Sequence, residues 1–142
     1  MEHKDYTPKT PHLAADCAII NQNNEILLIK KTHPLFKDCW AIPGGHVDYG
    51  EKVEDAAARE AKEEVNLTIK NPKLFGIYSD PKRDPRWHVA TAVYVVTDFS
   101  GEVKGDYESS EQQWFAFDKL PEKLAADHRI ILNDIVKWLK KS

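Results

Sequence analysis

The sequence predicts an α/β domain of the α+β kind, and three features carry that prediction. Short apolar runs bounded by turn residues recur along most of the chain, a carboxylate-rich stretch of helical periodicity interrupts them, and a second helical periodicity comes last. Residues 1–12, with Pro8 and Pro11, read as an extended arm ahead of one domain over 13–142. Runs over 14–20 and 25–31 are strands, and Asn21-Gln22-Asn23-Asn24 between them is a hairpin signal. Trp40-Ala41-Ile42 is a short strand ended by Pro43-Gly44-Gly45. A helix then runs over 52–65, with Val53, Ala56, Ala57 and Ala61 on its packing side; residues this small allow a close approach to a sheet. Strands follow over 74–78 and 88–97, the second rich in Val and Thr, with a loop over 79–87 between them. Another strand covers 113–117. From Asp127 as N-cap, Ile131, Ile135, Trp138 and Leu139 recur at helical spacing, so the last helix lays an apolar stripe on the sheet. No repeat, low-complexity tract or linker divides the chain.

Composition sets bounds around these elements. At 142 residues, 42% hydrophobic and 30% charged, the chain suits one globular domain with a sizeable core. A net charge of −3 argues against a nucleic-acid scaffold or an anionic-membrane binder. Cys17 lies in an apolar run and reads as a buried thiol; with Cys39 it makes no metal-type spacing, which fits a reducing cytoplasm. The start has no apolar signal core, and no stretch reaches the roughly 20 apolar residues that cross a bilayer, so neither secretion nor membrane insertion is expected.

The most informative segment runs from Gly45 to Leu67, a glycine turn leading into a helix crowded with carboxylates. Residues three and four apart on a helix are neighbours, so Glu60 faces Glu63 and Glu64, and like charges there destabilise by a few tenths of a kcal/mol per pair. Arg59 can neutralise Asp55 and Glu63, both four positions away. Glu60 and Glu64 have no cation within helical reach. A hard divalent cation, which prefers carboxylate oxygens and keeps open positions for phosphates, supplies the missing charge.

The same segment resembles the signature of the Nudix hydrolases: Gly, five residues, Glu, seven residues, Arg-Glu, a small or apolar residue, any residue, Glu-Glu, any residue, Gly and an aliphatic residue. Here these are Gly45, Glu51, Arg59, Glu60, Ala61, Glu63, Glu64, Asn66 and Leu67. Asn66 departs from the family's Gly, yet Asn tolerates the left-handed backbone that such a position needs, so the turn should survive. The resemblance covers about residues 13–140 and implies the family's fold, a mixed β-sheet sandwiched between α-helices. It also implies hydrolysis of a nucleoside diphosphate linked to another group, with Mg2+ as cofactor and Mn2+ as a substitute. By resemblance, Glu60 and Glu64 are the principal metal ligands, Glu63 shares or supports the metal, and the Gly45 carbonyl adds an oxygen. Arg59 and Glu51 stand behind them, Arg59 gripping a carboxylate rather than substrate. Family members commonly draw one more carboxylate, as ligand or general base, from a later loop; Glu111 is the first choice and Glu108 the alternative.

Substrate choice should come from the loop Ser79-Asp80-Pro81-Lys82-Arg83-Asp84-Pro85-Arg86-Trp87-His88. Two prolines stiffen it, and Lys82, Arg83 and Arg86 give it a local positive excess that could clamp phosphates or a ribose. It resembles a stretch found in ADP-ribose pyrophosphatase-like members. Trp87 could stack on a base or fill the sheet edge, and His46 could touch phosphate. His88 and His128 suit either substrate contact or a structural hydrogen bond, while His3, His12 and His33 show no ligand spacing. The implied partner is a small nucleoside diphosphate, with no nucleic acid and no membrane, and a homodimer is left open. The leading activity is cleavage of ADP-ribose to AMP and ribose 5-phosphate. The alternatives are a nucleoside triphosphate pyrophosphohydrolase, acting on oxidised nucleotides among others, and a Nudix-fold sensor that binds without turnover. The intact glutamates speak against the sensor.

Overall fold

The computed structural model describes residues 9–141. The arm expected over 1–12 therefore lies largely outside the described residues, as does His3. In chain order the strands and helices are β1 (His12–Ile19), β2 (Glu25–Lys31), β3 (Trp40–Ala41), β4 (Gly44–His46), α1 (Val53–Val65), β5 (Thr68–Lys70), β6 (Lys73–Tyr78), β7 (Val89–Val96), β8 (Asp98–Ser100), β9 (Ser109–Ala116) and α2 (His128–Lys140). They form a four-stranded sheet in the order β4-β1-β7-β6, a three-stranded sheet β3-β2-β9 and the pair β5-β8. β1 and β7 run parallel while β4 and β6 join antiparallel, so the larger sheet is mixed.

The hairpin expected between β1 and β2 is corrected. Asn21 does make the turn, its Oδ1 accepting from the backbone N–H of Asn23 at 3.0 Å and Glu25 at 2.9 Å. Only Ile20 and Ile26 then pair, and the two strands part into different sheets. The reason lies in burial: Ala15–Ile19 and Ile26–Ile29 are enclosed on both faces, and strands enclosed on both faces need layers above and below, not an open ribbon. Strands β4, β5 and β8 went unanticipated because they are three residues long and carry no clear alternation.

Alternation along β1 sends its side chains to two helices. Cys17 and Ile19 pack with Ala61 and Val65 of α1, and Ala15 packs with Ala56 and Ala57. Ala18 and Ile20 pack on the other side with Ile131, Leu132 and Ile135 of α2. Those three α2 side chains are fully buried, which contributes about 1.5–3 kcal/mol each. The sheet thus lies between the helices. Because α1 meets it through alanines, the helix backbone comes close enough for its glutamates to reach the β4 main chain. Asn66 ends α1 in the left-handed conformation, φ 63°, with its N–H donating to the Lys62 carbonyl, as the resemblance required. The Cys17 thiol is enclosed, and burial pushes it up to about 12. No helix among the described residues is long and apolar enough to cross a membrane.

Candidate active site

A cleft of about 930 Å³ wraps the β4 edge of the mixed sheet. One wall comes from α1. Glu64 is 1% exposed; its Oε1 accepts from the Gly44 N–H at 3.0 Å, and its Oε2 has no hydrogen-bond partner among the described residues. Burial, reinforced by the neighbouring Glu60 carboxylate and opposed by Lys31, pushes the Glu64 carboxyl up to about 9. Glu60 sits over Gly45, where a Cβ would stand 2.5 Å from its Oε1. Glu60, Glu63 and the Gly45 backbone all face the cleft.

Arg59 is the hub of this wall. It grips Glu51 with two bonds, Nε to Oε2 at 2.8 Å and Nη2 to Oε1 at 3.0 Å, and Nη2 also donates to the His46 carbonyl at 3.0 Å. Its Nη1 donates to Glu60 Oε1 at 2.9 Å and to Glu63 Oε2 at 3.3 Å. The expectation that no local cation serves Glu60 is therefore corrected. Helical spacing places adjacent residues about 100° apart, but the anchor on Glu51 swings the long Arg59 side chain across the helix face. The guanidinium in turn holds the Glu51 carboxyl down at about 2. Glu64 has no such partner.

The residues of this wall fit a hard divalent cation on two observations: an enclosed carboxylate oxygen without a donor, and a glycine whose missing side chain leaves room for a second carboxylate beside it. Among the described residues, no three His, Cys, Asp or Glu side chains already converge as a ligand set, because Glu60 and Glu63 turn to Arg59.

The opposite face of β4 carries a second polar group that sequence reasoning missed. Asp16 of β1, 7% exposed, accepts from Thr91 Oγ1 at 2.8 Å through Oδ2, and a Cβ on Gly44 would overlap its Oδ1. Burial raises its carboxyl, while His128, Thr91, Arg83 and Lys31 oppose the rise. His128, at the start of α2, accepts from the Ile42 N–H at 2.9 Å through Nδ1, and burial keeps it below the ordinary histidine value. A neutral ring accepting at Nδ1 carries its proton on Nε2. Both residues line the cleft. The available signal was Asp16 itself, a lone charge inside an apolar run. Lys31, which also lines the cleft, was missed for being one lysine among many; it has no ion-pair partner among the described residues.

The loop over 79–88 is placed differently from expectation. Arg83 makes a bidentate pair with Asp127, at 2.8 and 2.7 Å, its side chain 5% exposed. That contact also explains why Asp127, at the N-cap position of α2, makes no side-chain cap. Arg86 makes a bidentate pair with Asp84, at 3.0 and 2.8 Å, and lies over the rings of Phe36 and Trp87. The positive excess read from the loop is thus neutralised by its own Asp84 and by Asp127, although both arginines reach the cleft. His46 lines the cleft as well. Trp87 is 45% exposed, its ring centroid 5.4 Å from His12 and 6.4 Å from His46, and it is not part of the lining. His88 holds the Ser79 carbonyl at 2.9 Å through Nε2.

The extra carboxylate is also rearranged. β9 begins at Ser109, ahead of the expected 113, so Glu111 falls within the ladder opposite Lys30, forms a 3.8 Å ion pair with it and lies outside the lining. Glu108, just before the strand, lines the cleft with Asp106 and Tyr107.

With this geometry in place, comparison with known proteins is direct. A NUDIX domain family model matches residues 10–138. The chain is 45% identical over 128 residues to an ADP-ribose pyrophosphatase of Methanocaldococcus jannaschii, covering 90% of this chain and 75% of that protein. It is 35% identical over 104 residues to diphosphoinositol polyphosphate phosphohydrolase 2 of Rattus norvegicus, covering 70% of this chain and 54% of that one. Among solved structures, a MutT NUDIX hydrolase from Burkholderia pseudomallei superposes with a TM-score of 0.81 at 32% identity, covering 88% of this chain and 98% of that chain. The chain belongs to the NUDIX family of hydrolases.

Proposed function

We propose that this protein is a magnesium-dependent pyrophosphohydrolase that takes ADP-ribose and water to AMP and ribose 5-phosphate. The observation that carries the hydrolytic reading is the enclosed, unpaired Glu64 Oε2 beside Glu60 at the Gly44–Gly45 edge. The substrate reading is supported by the relative of that activity, 45% identical over nine-tenths of the chain. Glu60 and Glu64 are the residues that hold the cation, with Glu63 and the Gly45 carbonyl beside them. When bound, a divalent cation neutralises diphosphate charge and acidifies water. The chain's own residues supply the rest. Arg59 braces α1 against the 46–51 segment through Glu51 and the His46 carbonyl, fixing where the glutamates point. Lys31 offers the cleft a cation for phosphate, and Arg86, whose Nε and Nη2 are held by Asp84, offers a further donor through Nη1. Glu108 accepts the proton of the attacking water, because it lines the cleft while Glu111 does not.

A nucleotide panel tests this. AMP release should be fastest from ADP-ribose with magnesium and should cease in EDTA. A triphosphate turned over tenfold faster than ADP-ribose overturns the substrate, and tight binding of ADP-ribose without turnover makes the protein a sensor.

A further inference from the structure

We propose that Asp16, Thr91 and His128 form a sugar subsite, in which Asp16 Oδ1 accepts from a vicinal diol of the bound nucleotide sugar and His128 Nε2 donates to one of its oxygens. The inference rests on the nucleotide-sugar reading above and says where the sugar is held.

Asp16 and His128 are only 7% and 8% exposed, yet both border the cleft. Each has one polar atom already used inside the protein. Thr91 Oγ1 takes Asp16 Oδ2, and the Ile42 N–H takes His128 Nδ1. Among the described residues no protein donor reaches Asp16 Oδ1 and no acceptor reaches His128 Nε2. Neither atom is sealed from solvent, since Glu64 Oε2 stands alone among the described residues as an enclosed side-chain atom without a partner. The cleft therefore has one open acceptor and one open donor on the same wall, both on side chains that the protein itself holds in place.

A buried polar group left open toward a cavity favours a ligand that completes it and rejects one that does not. A vicinal diol brings donors and acceptors together on adjacent carbons and so satisfies both atoms. The surroundings are Ala14 on the same face of β1, the Thr91 hydroxyl and the Ile42 main chain, with no aromatic ring in contact with His128 among the described residues. The register completes the case: Asp16 lies opposite Gly44 and Ala15 opposite Gly45, so the subsite is one residue along β4 from the Glu60 wall, within the same cleft. A sugar held here leaves its diphosphate to reach that wall.

The test is steady-state hydrolysis, by wild type and Asp16→Asn, of ADP-ribose and two analogues. One analogue lacks the 2- and 3-hydroxyls of the terminal ribose, the other those of the adenosine ribose. Wild type should lose about 10- to 100-fold in kcat/KM on one analogue, mainly through KM, and that analogue identifies which sugar is held. Asp16→Asn should fall to the same level on ADP-ribose and lose nothing further on that analogue. Equal turnover of all three compounds by wild type overturns the subsite, even where Asp16→Asn does not fold. So does a folded Asp16→Asn protein that keeps the full wild-type preference. If wild type leaves ADP-ribose uncleaved, the nucleotide-sugar reading fails and the subsite falls with it.

Discussion

Gly44 and Gly45 are neighbours on one short strand, yet each clears space for a carboxylate on a different face of the sheet. Gly44 makes room for Asp16, and Gly45 for Glu60. On the Glu60 face the carboxylates are crowded, and one oxygen of Glu64 is enclosed without a donor. On the Asp16 face a single carboxylate is held by a hydroxyl, with an imidazole on the same wall. Crowded anions demand a cation, whereas a lone, half-satisfied carboxylate with a histidine beside it suits a neutral polar ligand. On the proposals above, one edge strand separates two chemical tasks, charge neutralisation on the Glu60 face and sugar recognition on the Asp16 face.

The largest effect should come from Glu108, the carboxylate just ahead of β9 that lines the cleft. Glu108→Gln should lower kcat by about 10²–10⁴ with the fold intact, and Glu111→Gln should leave kcat within a few-fold. The reverse order, measured by AMP release, would return the role to Glu111. On the other face, Arg83→Ala leaves Asp127 enclosed without its partner and should destabilise the protein by about 3–5 kcal/mol in denaturant unfolding. An Arg83→Ala protein as stable as wild type but with a raised KM would instead make Arg83 a substrate ligand.

The glycines test the comparison directly. Gly45→Ala should cost about 1–3 kcal/mol of stability by driving a Cβ into the Glu60 carboxylate, and should weaken stabilisation by magnesium. Gly44→Ala should cost more and disturb the diol preference, since its Cβ meets the Ala15 carbonyl and the Asp16 main chain as well as the Asp16 carboxylate. If both variants weaken magnesium binding equally, the two faces are not separate in function.

How much of this was legible in the sequence follows from separation along the chain. The α1 wall is written within residues 45–64, where helical spacing and one signature bring Glu60, Glu63, Glu64 and Arg59 together. Even there, spacing placed Arg59 on Asp55 and Glu63 and missed its reach to Glu60, because the anchor on Glu51 is a tertiary choice. The Asp16 group joins residues 75 and 86 positions apart, and no local pattern encodes such contacts. Glu111 was misplaced by the strand boundary, because four more residues in the ladder turn a loop carboxylate into a partner for Lys30. The loop arginines looked free because Asp127, 44 positions from Arg83, read as a helix cap, and the sequence alone did not pair Arg86 with Asp84.

A smaller effect distinguishes the faces by pH. Folding raises the Glu64 carboxyl from its ordinary 4.5 to about 9, so the folded protein holds that proton more tightly than the unfolded chain does. Stability from this source is complete below pH 4.5 and is lost as pH climbs to about 9. In EDTA the wild-type Tm should fall across that window more steeply than that of Glu64→Gln. Parallel curves for the two proteins would remove Glu64 as the cause.

The most direct test of the account is a thermal melt of wild type and Glu64→Gln, each in EDTA and in millimolar magnesium at neutral pH. Glu64 serves better than Glu60 here, because Arg59 already pairs with Glu60 and its loss would mix an ion pair with the metal site. The glutamine keeps the acceptor for the Gly44 N–H and cannot ionise, so unfolding it gains nothing from the ionisation that the exposed Glu64 carboxyl undergoes at neutral pH. In EDTA Glu64→Gln should therefore melt at or slightly above wild type. Magnesium should raise the wild-type Tm by several degrees, corresponding to about 2.7 kcal/mol at a hundredfold excess over Kd, and the variant should lose most of that gain. A variant much less stable than wild type in EDTA, or one that gains as much from magnesium, would make Glu64 a structural residue and contradict the metal site on α1.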